Sequence, residues 1–326
     1  MTVLRYREAL RSAMIEEMDR DERVYLVGEE VGAYQGAYKV TEGLLERFGP
    51  KRVIDAPITE SGFTGLSIGA AMVGLRPIVE FMTWNFSAVA FDQLLNNAAK
   101  IRQMSGGQFN IPIVLRAPNG SARQVGSQHS QAMEHFYTHI PGLKVLAPAF
   151  PADAKGLLKT AIRDDDPVLI MESETLYNIK GDVSDNPDEL VPMGQANVVR
   201  QGKDASIIAY GRIVHVALEA ARALEKDGID VEVLDLRSLR PLDEQSLVRT
   251  VQKTHRAVLA YEGWPYGGVG AEVVDRIQRL AFDELDAPIL RVTFRDVPMP
   301  YNAKLEQYVL PQPDRIAAAV REVLYR

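Results

Sequence analysis

Short runs of apolar, largely β-branched residues recur along this chain, each followed by a segment with helical spacing. That alternation constrains the fold more than any other feature. In the first half the runs are VYLVGEE, RVIDAPI, PIVEFM, IPIVLRAP, KVLAPA and PVLIMES, with TEGLLERFG, FDQLLNNAAKIRQM and ADAKGLLKTAIR as helical segments between them. Near-continuous apolar strands imply burial on both faces, and strands separated by helices imply a parallel sheet. The expected fold class is therefore α/β. A polar, acidic stretch with two prolines, KGDVSDNPDELVP from Lys180 to Pro192, interrupts the pattern and reads as a linker. Beyond it the alternation resumes with ASIIAYG, VEVLDLRSL, RAVLAYEG and PILRVTF. Helices are expected to start near Val214, Leu242 and Gly268, and a last one to run from about Asp314 to Tyr325. The boundaries expected are a first domain over 1–180, a linker over 181–194 and a smaller α/β domain over 195–326.

At 326 residues the chain is long enough for two ordinary domains. Its net charge of −7 argues against a general binder of nucleic acid or anionic membranes. The absence of cysteine removes disulfides, thiolate catalysis and cysteine-ligated metals from consideration. The first residues lack the apolar core of a secretory signal and are too acidic for a transit peptide, so a cytoplasmic location is the expectation.

Three places draw attention as chemistry. In ITESGFTGLSIGAAMVGLRP, from Ile58 to Pro77, one acid, Glu60, heads a run of glycine, alanine and serine. Two readings fit: an acid in a first helical turn, favoured by the macrodipole, or a carboxylate held among apolar neighbours where it can hold or relay a proton. Gly65 and Gly69 form a GxxxG spacing that suits close helix contact inside protein, since Arg76-Pro77 closes the run before it could span a membrane. The polar loop NGSARQVGSQH ends on His129, either a proton donor near neutral pH or a cap for the next segment. Asp164, Asp165 and Asp166 follow a helix C-terminus, where acids are electrostatically disfavoured. A solvated turn before Pro167 or a bound hard cation would each answer that conflict.

Familiar alternatives are absent. No phosphate-binding Walker loop occurs, GGVGAE at 267–272 lacks the full dinucleotide spacing, and HFYTH lacks the glutamate of a zinc-protease helix.

Taken in order, LVGEEVGAYQGAYKVTEGL, APITESGFTGLSIGAAMVGLRPIVEFMTWNF, MSGGQFNIPIVLRAPNG, SQHSQ, PGLKVLAP, DAKGLLKTAIRDDDPVLIMES, EGWPYGGVGAE and DVPMPYNAKLE resemble the β subunits of thiamine-diphosphate-dependent 2-oxo acid dehydrogenases, most closely those of the pyruvate dehydrogenase complex. The resemblance covers essentially the whole chain. It implies a transketolase-like pyrimidine-binding domain followed by a transketolase C-terminal-like domain. It also implies that Glu60 hydrogen-bonds the aminopyrimidine ring of thiamine diphosphate and promotes proton removal from the thiazolium carbon. By position, Ile58 and Phe86 become apolar contacts to that ring, and His129 a proton donor when the acyl group passes to a lipoyl dithiolane. A structural potassium ion would be held at Ile113, Ala161, Ile162, Asp164 and Asp166, the last standing where an asparagine is common.

The family's GDG motif for Mg²⁺ and diphosphate is missing; only Gly181-Asp182-Val183 comes near it. The resemblance therefore implies an α subunit that holds Mg²⁺, a heterotetramer of two α and two β, and a dihydrolipoyl acyltransferase core as further partner. The small-residue helix would then serve a close contact between subunits. Two rival readings remain: a branched-chain 2-oxo acid or acetoin dehydrogenase β subunit, and a non-catalytic assembly subunit.

Overall fold

The computed structural model describes residues 1–326, which separate into two compact units. The first comprises residues 1–119 and 136–193, the second 120–135 and 194–326. No helix is long and apolar enough to cross a membrane.

The first unit opens with β1 (Thr2–Arg5) and α1 (Tyr6–Arg20). Its parallel sheet contains β2 (Val24–Gly28), β3 (Val53–Asp55), β4 (Arg76–Glu80), β5 (Val114–Pro118), β6 (Lys144–Leu146) and β7 (Val168–Glu172), in the order β6-β7-β5-β4-β2-β3. The register pairs Leu26 with Ile78, Ile78 with Val114, and Val114 with Val168, so apolar residues line up across the central strands. Every residue of β2, β4, β5 and β7 is buried, which is why these strands read as continuous apolar runs. Helices α2 (Leu44–Phe48), α3 (Glu60–Met72) and α4 (Ile101–Met104) lie within this unit, as does α6 (Pro151–Arg163); the passage between units falls within α5 (Glu134–Thr138).

One sheet face is covered by α1 and α6. Tyr6, Leu10, Ala13 and Met14 share a buried cluster with Ala154, Leu157, Leu158 and Ala161. Fully burying each large apolar side chain contributes roughly 1.5–3 kcal/mol. Between these helices the fully buried Glu17 accepts three hydrogen bonds from the Arg163 guanidinium, the shortest at 2.7 Å. The helix α1 was not expected from the sequence: charged residues interrupt its stripe, and only packing against α6 shows which face is apolar. The segment expected to be one helix over FDQLLNNAAKIRQM forms a π-helical turn, Gln93–Ala98, before the short α4. Lys180–Val183 of the expected linker forms β8, antiparallel to β1. Its polar residues suit a solvent-facing edge pair.

The carboxyl ends of three central strands are joined by charge. Arg116 of β5 donates from Nε and Nη2 to Glu172 of β7 at 2.5 and 2.6 Å, and from Nη1 to Glu80 of β4. Tyr177 OH donates to the same Glu172 carboxylate at 2.7 Å. Burial pushes the Glu80 carboxyl above its ordinary range, and the Arg116 charge opposes that.

The second unit has its own sheet, β9 (Asn197–Arg200), β10 (Ala205–Ala209), β11 (Val231–Asp235), β13 (Ala257–Ala260) and β14 (Leu290–Val292), in the order β14-β13-β10-β11-β9. All neighbours are parallel except β9, which runs antiparallel to β11 as an edge strand. A short strand, β12 (Ser238–Arg240), follows β11. The helices are α7 (Ile213–Glu225), α8 (Glu244–Thr254), α9 (Val269–Ala281), α10 (Ala303–Val309) and α11 (Pro313–Val323). The glycine pair in GGVGAE turns the chain into α9, with Gly268 as its N-cap.

Replacing Arg116 by methionine would leave two carboxylates buried without their cation. We expect Arg116→Met to lower stability by about 3–5 kcal/mol, as breaking a buried ion pair does. Urea unfolding would read this as a lower midpoint at unchanged slope; a loss under about 1 kcal/mol would refute the triad's role.

Candidate active site

Glu60 is the first residue of α3, and the chain reaches it from the end of β3 through Ala56, Pro57, Ile58 and Thr59. Carboxyl ends of parallel strands are where open α/β sheets place ligand contacts. The helix forms despite its glycines because Phe63, Thr64, Ser67, Ile68 and Ala71 are buried on one side. Ser67 Oγ donates to the Phe63 carbonyl at 2.7 Å. Phe63 packs on Phe81, their ring centroids 5.8 Å apart, and Phe81 packs edge-on against Trp84. Thus the helix that starts with Glu60 is tied to the turn that carries Phe86.

That turn, Trp84–Ala88, is a single 3-10 segment. Trp84 Nε1 donates to the Ile170 carbonyl at 2.9 Å, Thr83 Oγ1 donates to the Pro118 carbonyl, and Ser87 Oγ lies 2.6 Å from Tyr137 OH. Phe86 is half-buried, whereas Ile58, just before α3, is 80% exposed. An isoleucine so exposed beside a buried acid is an apolar surface without a cover in this chain.

Glu60 itself is 6% exposed, and it has a neighbour that sequence reasoning missed. Glu29 follows β2 and is 5% exposed. Burial first, and the adjacent Glu60 carboxylate second, push the Glu29 carboxyl up to about 7. Its Oε1 is buried with no hydrogen-bond partner. A carboxylate beside another carboxylate is harder to ionise, so Glu29 keeps its proton to a higher pH than an exposed acid would. Gly28 makes this placement possible. A Cβ there would lie 2.4 Å from the Glu80 carbonyl oxygen, so only glycine lets β2 run this close to β4 before Glu29 turns inward.

His129 ends the short 3-10 turn Ser127–His129 and is exposed; it belongs to the second unit, whereas Glu60, Ile58 and Phe86 belong to the first. The aspartates after α6 meet cations from the protein itself. Lys144 Nζ lies 2.7 Å from Asp164 and 3.1 Å from Asp166, Arg102 pairs with Asp166, and Arg76 Nη1 lies 3.0 Å from Asp165. The Ala161, Ile162 and Ile113 carbonyls accept from Asp164 N, Arg76 Nε and Val168 N. The conflict of three acids at a helix end is therefore met by side chains.

Two family models cover most of the chain: the transketolase pyrimidine-binding domain over residues 3–180 and the transketolase C-terminal domain over 194–316. The chain is 52% identical over all 326 residues to the pyruvate dehydrogenase E1 component subunit beta of Rhizobium meliloti, spanning 71% of that protein. It is 53% identical over 319 residues to its counterpart in Rickettsia felis, covering 98% of each chain. The chain belongs to the pyruvate dehydrogenase E1 β-subunit family. The same fold is seen in a solved split-gene transketolase, an inactive β4 tetramer, with a TM-score of 0.81 at 24% identity over 98% of each chain.

For a member of the E1 β family, the pyrimidine-binding match places both Glu29 and Glu60 in the domain named for that ring. Glu29 escaped sequence reading because it stands beside a second glutamate, Glu30, in a polar run. Only the fold shows that one of the two points into the buried site. The one available signal was its place directly after a strand.

The raised Glu29 carboxyl has a consequence for stability. In the unfolded chain it would titrate near 4.5, in the folded chain near 7. The folded state thus binds the proton more tightly, and this contribution is present below about 4.5 and lost as pH rises through about 7. Glu29→Gln should therefore stabilise the protein relative to wild type at pH 7.5 but not at pH 4.5. Parallel urea titrations at the two pH values check this; an equal effect at both would refute it.

Proposed function

We propose that this chain is the β half of a thiamine-diphosphate-dependent pyruvate dehydrogenase (acetyl-transferring), active together with an α subunit. The observation that carries the reading is the buried carboxylate pair Glu60 and Glu29 at the strand ends, with one buried oxygen lacking a partner. Such an acid pair suits a nitrogen heterocycle that must gain and lose a proton, and the exposed Ile58 and half-buried Phe86 suit its apolar faces. Thiamine diphosphate, when bound, supplies the electron sink for decarboxylation. Glu60 would hold the aminopyrimidine through a hydrogen bond. Glu29 would keep a proton available at that carboxylate, and Ile58 and Phe86 would exclude water from the ring.

In the overall reaction pyruvate loses CO₂, its carbonyl carbon is oxidised to the acetyl level, and a lipoyl disulfide is reduced. One sulfur takes the acetyl group and the other takes a proton. We assign that proton to the His129 imidazole. The acceptor is the lipoyl group of a dihydrolipoyl acyltransferase core.

The chain carries no GDG motif, so we assign Mg²⁺ and the diphosphate to the α subunit, in a heterotetramer of two α and two β. The α3 helix supports a partner contact: Gly62, Leu66, Gly69 and Val73 form an exposed stripe at helical spacing, with Leu66 66% and Val73 80% exposed. A potassium ion at Ile113, Ala161, Ile162, Asp164 and Asp166 remains part of the proposal on resemblance. It would have to share Asp164 and Asp166 with Lys144. We place the chain in the cytoplasm, in keeping with the absence of any helix long and apolar enough to cross a membrane. The domain division proposed is 1–180, a linker at 181–194, and 195–326.

The test uses the reconstituted αβ enzyme. Glu60→Gln should still bind thiamine diphosphate yet lower pyruvate decarboxylation by about 10²-fold or more, the scale of a lost general acid–base group. Unchanged turnover would favour a non-catalytic assembly role, and a wild-type preference for 3-methyl-2-oxobutanoate over pyruvate would favour the branched-chain reading. Calorimetry of the β chain alone with thiamine diphosphate and Mg²⁺ should show weak binding; tight stoichiometric binding without α would refute the divided site.

A further inference from the structure

The loop that carries His129 lies inside the span matched by the pyrimidine-binding model, yet residues 120–135 group with the second unit. Specific contacts hold it there. At its base Gly120 N donates to the Gln131 carbonyl at 3.1 Å, closing the loop on itself. Gly120 has φ +76°, and a Cβ on it would lie 2.1 Å from Glu262 Oε2. Ser121 Oγ donates to Glu262 Oε1 at 2.7 Å, and the same oxygen receives Arg212 Nη2 at 2.6 Å and Nε at 3.0 Å. Further along, the backbone N–H of Gln124 donates to Glu306 Oε1 at 3.0 Å. Ser127 Oγ donates to the Met299 carbonyl at 2.9 Å, and His129 N to the Gly126 carbonyl at 3.4 Å.

The two principal anchors are buried carboxylates, Glu262 at 7% and Glu306 at 3% exposure. Burying a carboxylate is unfavourable unless hydrogen bonds compensate. Glu306 directs this interaction at the backbone of a loop that joins no sheet. Its helix, α10, is set in place by Asn302, whose Oδ1 accepts from Lys304 N and Leu305 N. Gln124 has φ +57°, a conformation uncommon for a residue with a side chain, so the contact also maintains a backbone shape the loop would not keep unaided.

We propose that Glu306, with Glu262 at the loop base, is a positioning residue for His129, so that the second unit sets the geometry of acetyl transfer to the lipoyl sulfur. This rests on the assignment of His129 as proton donor. On this reading decarboxylation is the task of Glu60 and Glu29, and the placement of the His129 loop bears on transfer to the lipoyl group.

The experiment compares two readings in the reconstituted αβ enzyme: pyruvate decarboxylation coupled to an artificial dye acceptor, and acetylation of an isolated lipoylated domain. Glu306→Ala should lower lipoyl-domain acetylation roughly tenfold or more, the effect of a small misplacement of a reacting group, while dye-coupled decarboxylation stays within about twofold. Glu306→Gln keeps an accepting oxygen and should restore most of the acetylation rate. Equal loss in both reactions, or no loss in acetylation, would overturn the proposal. His129→Gln is run alongside. If it leaves acetylation intact, the proton-donor assignment fails; if it lowers acetylation while Glu306→Ala does not, only the positioning role fails. Should Glu306→Ala not assemble, Ser121→Ala, which deletes only the hydroxyl reaching Glu262, carries the same comparison.

Discussion

The buried triad of Arg116, Glu80 and Glu172 is the interaction on which the first unit's site depends. It adds side-chain bonds between β4, β5 and β7 where the backbone ladder already pairs Glu80 with Arg116 and Pro118 with Glu172, so the strands are fixed there by both. The triad carries one more negative charge than positive. Burial of an unbalanced cluster is costly, and the bidentate fork of the guanidinium with the Tyr177 hydroxyl compensates by supplying donors to Glu172. The Glu80 backbone held by this cluster is also the surface against which Gly28 packs, and Gly28 is the residue that delivers Glu29. A structural ion pair and a titrating acid are thus two residues apart in contact, with opposite chemistry. Glu80 has a cation beside it, while Glu29 faces only another acid.

This difference explains what could be read from the sequence. Strands β2, β4, β5 and β7 were legible because every residue in them is buried, which leaves a nearly unbroken apolar run, whereas the short β3 and β6 carry exposed or half-buried residues. Glu60 was legible because it stood alone in an uncharged segment. Glu29 was not, since beside Glu30 its only signal was its place directly after β2. Helix α1 was hidden by its charges: Glu16 and Glu17 look like a solvent face, but they are the partners of Lys155, Lys159 and Arg163 on α6. Ionic pairing between helices looks like exposure when each helix is read alone.

The aspartates after α6 teach the converse. Three acids at a helix end left a solvated turn and a bound cation both open, and Lys144, Arg102 and Arg76 come from distant parts of the chain to meet them. Local charge conflict shows that a cation is needed and does not say whether it is an ion or a side chain.

The His129 loop shows where sequence order and physical grouping part. Read along the chain, residues 120–135 continue the first domain; their hydrogen bonds run to Glu262, Met299 and Glu306. A loop takes its conformation from whatever satisfies its backbone, because a polar N–H without a partner is costlier than a contact across sequence. Glu262 follows β13 and Glu306 lies on α10, two separate parts of the second unit, so the loop is held at its base and again near its middle. Two anchors fix an orientation where one would fix only a position, and proton transfer from an imidazole depends on orientation. On the proposed role of His129, the second unit would take part in the chemistry through this loop.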